Sequence, residues 1–571
     1  MQIPSRGFLS GPGSRTTCSQ ACSTVITASR REPTAGYPGS GAADFRQSVG
    51  TRRSMEPRLK DGGSGQEGGS RTSLTGRTFL GMSWMLFGVL AQALTQLGVL
   101  WVLARLLEPE AFGLVQTVML FIALFLAVGQ AGLGPALVQR ERIEDRHILT
   151  AFTLSVSCGL ILALLTYSTA ARLAGLLGND ALVPLLRVMS ALFLLQTPSL
   201  AAEAVLQRDF RFRALSLVEV LSYLVGFGLV GLGVAFAGGG VWALVAAYLA
   251  QAAVRSLLLL ILARHPCRFR IDFAAARSLL FFGGGFTAAR IANEAALQGD
   301  KLVITATLGQ VALGLYGRAY QLMLLPASLM GKIMSAVLFP AIASVQGDKT
   351  RLASAFSRGT VAIGLLVMPA SAMAVLLGPE LLRVVLGPGW EGAYLPFRLL
   401  AIGMYFRSAY KLSDTLARGT GRVYRRTWRQ VVYALLVLSL AWLGHFAGLP
   451  GVAAGITTAI TVNFLLMSHL ALGVCEQPWR WFFRMHLAPL RVTCLVLAVA
   501  WPLRTLLISW AWPPLLRILG AVAVVLVVLW VSLRRCPDFF LGREGSWLLS
   551  RLPGPLGRPW RDRMTRSPAA D

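Results

Sequence analysis

Between residues 290 and 332 an otherwise apolar stretch carries Arg290, Glu294, Asp300, Lys301, Arg318 and Lys332, and a second stretch adds Arg407, Lys411, Asp414 and Arg418. An ionised side chain at mid-bilayer costs about 2.5–3.5 kcal/mol on the mildest scale, so such residues face protein or a water-filled cavity. Helical spacing sorts them. Arg290, Glu294 and Lys301 are separated by 4 and 7 residues and fall along one helix face. Arg318 and Lys332 are 14 apart, four turns, and again share a side. Arg407, Lys411, Asp414 and Arg418, at separations of 4, 3 and 4, form a stripe. Three charged stripes suggest one shared aqueous cavity with a cationic balance. Arg offers a fork of donors suited to phosphate oxygens and Lys a point charge, so the expected chemistry is capture of an oxyanion.

Each candidate has a structural alternative. Asp300 can pair with Lys301 or Arg290, or end its helix at the interface; Lys301, near that helix end, can snorkel outward. Arg407, Lys411 and Arg418 can run down towards a basic loop. Glu294 is a candidate ion-coupling site, with a salt bridge to Arg290 one turn away as the alternative. Tyr316, Tyr320 and Tyr410 are candidates for lining a polar path, or for packing.

The elements that must hold these residues are membrane helices. Of 571 residues, 55% are hydrophobic and 14% charged, and the mean hydropathy is +0.61; a soluble domain carries about 25% charged residues. Apolar runs of spanning length predict fourteen helices, near 79–104, 111–133, 148–170, 182–204, 214–236, 241–263, 279–299, 313–340, 357–378, 393–416, 428–446, 451–473, 487–507 and 516–533. The expected fold class is therefore an all-α polytopic membrane protein. The net charge of +28 resides mainly in short Arg-rich loops, with no nucleic-acid-binding motif, so nucleic acid is not an expected partner. Alternate loops differ sharply: one set carries Arg140, Arg208, Arg264, Lys349, Arg418, Arg480 and their basic neighbours, twenty in all, against five in the other (Arg105, Arg172, Lys301, Arg383, Arg504). The positive-inside rule puts the richer set, and both termini, in the cytoplasm.

Seven scattered cysteines offer neither a disulfide framework nor a metal site, and no cofactor is expected. There is no Walker motif and no outer loop with acidic residues spaced for acid–base chemistry, which argues against an enzyme. Residues 1–74, rich in Ser, Gly and Arg, have the composition of a disordered tail, or of an over-called start with translation beginning at Met55. An internal repeat is visible: "AFGLV" at 111–115 resembles "ALGLY" at 312–316, and each run exits through a similar segment, "GPALVQR" at 134–140 and "FPAIASVQ" at 339–346. This suggests two six-helix halves, 75–270 and 271–475, then two further helices (476–533) and a basic cytoplasmic tail (534–571).

The segments "LARLLEPEAFGLVQTVMLF", "GLGPALVQRE", "LQRDFRFRALSLVEV", "GVWALVAAYL", "GDKLVITATLGQVALGLYGRAYQLMLLP" and "VLFPAIASVQ", in this order over about residues 78–475, resemble the polysaccharide transporter family. These are the Wzx-type flippases of lipid-linked oligosaccharides in the multidrug/oligosaccharidyl-lipid/polysaccharide (MOP) superfamily. The resemblance implies two six-helix bundles in a V, as in MATE transporters of the same superfamily, set in a bacterial inner membrane. It also implies alternating access for a polyprenyl-pyrophosphate-linked oligosaccharide, beside a polymerase and a chain-length regulator. On that reading Arg290, Arg318 and Lys332 are the leading phosphate or glycan contacts, with Lys301, Arg407 and Lys411 behind them, and Glu294 and Asp300 are ion-coupling candidates. The alternatives are a peptidoglycan-precursor flippase, a multidrug exporter of the superfamily and, from another class, a membrane oligosaccharide polymerase or ligase.

Overall fold

The structure is a computed structural model that describes residues 92–129, 133, 134, 137, 144–209, 211–263, 268–277, 294, 297–333, 342 and 347–550. Among the described residues every regular element is helical. The first half contains α1 (92–106), α2 (Pro109–Gly129), α3 (Asp145–Leu176) and α4, a pair Leu182–Gln196 and Ser199–Arg208 bent by 43°. It continues with α5 (Arg213–Phe236) and α6 (Val241–Ala263). The remainder comprises α7 (297–307), α8 (Gly309–Ile333), α9 (Lys349–Leu376), the short α10 (Gly378–Val385), α11 (Tyr394–Gly419), α12 (Val423–Gly444), α13 (Gly448–Cys475), α14 (Trp479–Ser509), α15 (Pro514–Arg535) and α16 (Pro537–Ser550).

Eight described helices, nine if the bent pair counts as one span, are long and apolar enough to cross a membrane. The chain is a multi-pass membrane protein. Outward-facing residues match that setting: Leu515, Leu519, Val522, Leu526 and Val527 of α15 are exposed, an apolar face suited to lipid, while the helix satisfies its own backbone groups. The charge-bearing α8 and α11 instead bury their polar faces against other helices.

Local sequence sets the breaks. Pro198 supplies no amide to α4, and the bend falls there. Asp348 caps α9 by accepting from the Arg351 amide at 3.0 Å, so this helix starts eight residues before the apolar run, which alone predicts 357. The predicted seventh helix ends at 299, but α7 continues to 307; Asp300 and Lys301 are interior residues of a helix, not its end. Within α5, residues Leu224–Gly231 are wound as a π-helix, and Gly226 and Gly231 let it press against Ala247 and Gln251 of α6. Residues 534–571, expected as a tail, include α16, held by Arg358 to Glu544 at 3.2 Å and by that guanidinium stacked 3.7 Å from the Trp547 ring centre.

The repeat segments meet. Helices α2 and α8 cross at Gly113 and Gly314, the third residues of the aligned pentapeptides "AFGLV" and "ALGLY". A Cβ on Gly113 would overlap the carbonyl oxygen of Gln310, four residues before Gly314; a Cβ on Gly314 would overlap that of Pro109, four residues before Gly113. The contact is reciprocal, and one turn further on Gly317 lies against the Gln116 amide. Small residues give membrane helices this closeness of approach. Thr117 pins the crossing, bonding to Thr305 at 2.8 Å and to Gln310 at 2.5 Å. The segment leading out of the first half is tied down as well. Thr153 of α3 accepts from the Arg270 amide, and Thr150 from that of Asp272, each at 3.0 Å. Asp272 in turn caps residues 273–277 by accepting from the Ala275 amide, which holds its carboxyl below the usual range.

Candidate functional site

Arg318 sits on α8 where that helix faces the first half. Its guanidinium carbon lies 4.3 Å from the centre of the Phe112 ring on α2, and it is within electrostatic reach of Tyr223 and Tyr248 on α5 and α6. One of its terminal nitrogens donates to Gln321. Its Nε is buried without a hydrogen-bond partner among the described residues. A cation set on one aromatic face, with a donor unused among the described residues, is poised for an incoming acceptor. Tyr223 stacks on Phe227 at 4.9 Å, and Phe227 meets Tyr248 edge-on at 4.9 Å, so the aromatic wall is itself packed into place.

Arg407 on α11 is buried, donates to the Tyr433 hydroxyl at 2.9 Å and lies 5.4 Å from the Tyr410 ring centre. Its Nε also lacks a partner among the described residues. Lys411, one turn along, runs its stem and ammonium against Gly331 of α8, with Nζ 3.2 Å from where a Cβ would stand. The α8 and α11 stripes therefore converge. Further along α11, Asp414 binds Arg418 at 3.1 Å and also Arg426, so the acidic member of the stripe is held by two guanidiniums and Arg407 and Lys411 are left without it.

Asp300 is buried and accepts from the Tyr316 hydroxyl at 2.7 Å and from the Lys301 amide at 2.9 Å. Among the described residues its two oxygens are met by neutral donors. Lys301 donates instead to the Gln298 side chain at 2.7 Å. Tyr316 is wholly buried and stacks on Tyr320 at 5.5 Å, which makes it a packing and positioning residue rather than a lining one. Glu294 is half-buried. Arg290 and the side chain of Lys332 lie outside the described residues, as do residues 1–74 and most of both exit segments. Among the described residues no group of His, Cys, Asp and Glu is arranged to hold a metal ion.

Sequence reasoning missed two residues at this junction. Arg105 counted only as a loop charge, and Trp390 fell in the Gly/Pro turn "VLGPGWEG". Trp390 is fully buried, donates from its indole to the Ala104 carbonyl at 3.0 Å, and meets Phe112 edge-on at 5.4 Å. Arg105 donates to the carbonyls of Val384 at 2.7 Å and Val385 at 3.3 Å. The available signal was a large aromatic placed within a turn otherwise built of glycine and proline.

Residues 102–395, about half of the chain and including Arg105, Phe112, Arg318 and Trp390, match the polysaccharide biosynthesis protein family. The chain belongs to that family. It is 25% identical over 401 residues to the lipopolysaccharide biosynthesis protein WzxC of Escherichia coli K12, covering 69% of this chain and 80% of the relative. It is 27% identical over 347 residues to the succinoglycan biosynthesis transport protein ExoT of Rhizobium meliloti, covering 61% and 70%. Two solved structures share the fold: the lipid II flippase MurJ in an inward closed conformation (TM-score 0.63, 13% identity, 80% of this chain and 99% of that one) and an inward-facing MATE transporter of the MOP superfamily (TM-score 0.55, 16% identity, 68% and 99%). The fold of this family member is thus MOP-like.

Proposed function

We propose that the protein is a flippase, not an enzyme, which moves polyprenyl-pyrophosphate-linked oligosaccharide repeat units across the bacterial inner membrane for exopolysaccharide, capsule or O-antigen synthesis. The observation that carries this reading is Arg318: a guanidinium at the α2–α8 crossing, set on the Phe112 ring, with a donor unused among the described residues. Family membership and the relatives named for polysaccharide biosynthesis and transport support the substrate class. Fourteen spans in two six-helix halves plus two helices, with both termini cytoplasmic, complete the proposed architecture; the reciprocal Gly113–Gly314 contact supports a two-fold relation between the halves.

In this mechanism Arg318 takes the pyrophosphate, with Arg290 and Lys332 beside it and Lys301, Arg407 and Lys411 completing the cationic wall. The acyl chain stays in lipid, and the sugars travel through the polar interior. Asp300, a buried carboxylate held by phenol and amide donors, and Glu294 are the ion-coupling groups. A cationic wall suits a pyrophosphate better than the organic cations of a multidrug exporter. A polymerase and a chain-length regulator are the expected neighbours.

Cells lacking the gene should accumulate lipid-linked repeat units that an added glycosidase cannot reach from the outer face, and should lose the surface polymer. Undiminished polymer in the absence of related transporters would contradict the function.

A further inference from the structure

Two helix ends face each other across the junction of the halves. Helix α1 ends at 106 and α10 at Val385, and the last carbonyls of any helix lack intrahelical partners. Here each end is capped by the other half. Trp390, just beyond α10, donates to the free Ala104 carbonyl of α1, and Arg105, at the end of α1, donates to the free Val384 and Val385 carbonyls of α10. Gly387, in a left-handed conformation with φ of +94°, leaves room for the Arg105 stem. The clasp is also wired to Arg318: the Phe112 ring meets Trp390 in an edge-to-face contact, and its face carries the Arg318 guanidinium.

We propose that Trp390 and Arg105 are positioning residues for transport, which relay occupancy of Arg318 to this clasp and so decide when the α2–α8 seam opens. The inference rests on the reading of Arg318 as a pyrophosphate contact. Charge-assisted, bidentate bonds to a pyrophosphate outcompete one cation–π contact, so the ligand draws Arg318 off Phe112. Phe112 then loses the cation that fixes its ring, and Trp390 loses the ring that holds its indole towards Ala104. With the indole bond gone, Arg105 alone spans the two ends. On the proposed topology this clasp lies at the extracytoplasmic end, so filling the site from the cytoplasm loosens the exit.

Linkage requires the converse: a protein with a loosened clasp binds the ligand more tightly. The test uses the full chain in lipid nanodiscs, its native cysteines replaced by alanine, with Gln116→Cys, which faces Gly317 across the seam, as reporter. Labelling by a bulky maleimide is timed with and without undecaprenyl pyrophosphate, and binding of the radiolabelled lipid is measured in the same discs. The reporter protein should label slowly alone and about fivefold faster with the lipid. Trp390→Phe, which keeps the ring and loses the indole N–H, should label fast in both conditions and bind the lipid about fivefold more tightly. Arg105→Lys, which keeps the charge and loses the fork, should behave alike, and it serves if Trp390→Phe does not fold.

If both clasp variants label as slowly as the reporter protein while the lipid still speeds the latter, the relay is wrong and the pyrophosphate reading stands. A reporter protein that binds through Arg318 yet never changes its labelling likewise overturns the relay. If Arg318→Ala binds the lipid as well as its parent, the underlying reading of Arg318 fails and takes the relay with it.

Discussion

At the scale of single residues, buried charge separates structure from function. Glu380 is buried with one oxygen bonded to Arg504 at 2.9 Å and the other without a partner among the described residues. Removing Arg504 strands that carboxylate. Arg504→Ala should therefore destabilise the protein by about 3–5 kcal/mol. Arg418→Ala should cost under about 1 kcal/mol, since its side chain is 42% exposed and Asp414 keeps Arg426. Denaturation midpoints of the two variants, measured side by side in one detergent, check the difference; equal midpoints would contradict it. Arg318 and Arg407 are the opposite case, cations holding a donor unused among the described residues, a costly arrangement for stability alone. Spacing and hydropathy were enough to single out Arg318, Arg407 and Asp300, because a charge in an apolar helix is conspicuous in any sequence. The Asp300–Tyr316 bond was not legible, since it depends on how α7 packs against α8, and neither partner's position in the chain specifies that.

At the scale of elements, the α2–α8 crossing is the joint on which the site depends. Gly113→Ala would drive a methyl into the Gln310 carbonyl, which belongs to a packed helix backbone and cannot swing aside. It should cost about 1–3 kcal/mol as an overpacked contact. Gly98→Ala on α1 meets nothing within 4 Å among the described residues and should be neutral or stabilising by up to about 1 kcal/mol. Thermal midpoints of both variants test this, and a neutral Gly113→Ala would mean the helices sit further apart than described. The repeated pentapeptides were legible in the sequence. Their mutual contact was not, for a repeat signals equivalent surroundings and leaves open whether the copies touch. Helix starts at polar caps were also underread, as at Asp348, because hydropathy sees only the apolar run and the cap precedes it.

At the scale of the whole molecule, the central claim is that a cationic interior between two helical halves carries a lipid-linked oligosaccharide across the membrane. Membership of the polysaccharide biosynthesis protein family and the MOP-like fold fix the setting, and composition alone had already required a multi-pass membrane protein. The convergence of the α8 and α11 charges was legible as stripes at helical spacing. The clasp of Arg105 and Trp390 was not, because hydrogen bonds between chain segments some 280 residues apart leave no local trace. The direct measurement is transbilayer movement of a polyprenyl-pyrophosphate oligosaccharide in liposomes containing the purified protein, beside Arg318→Ala of equal stability. The expected result is movement by the unaltered protein and a loss of at least about tenfold in the variant, the equivalent of one charge-assisted contact. Movement that is equal in the two would contradict the cationic site, and no movement by the unaltered protein, with hydrolysis of the glycan in its place, would contradict the flippase itself.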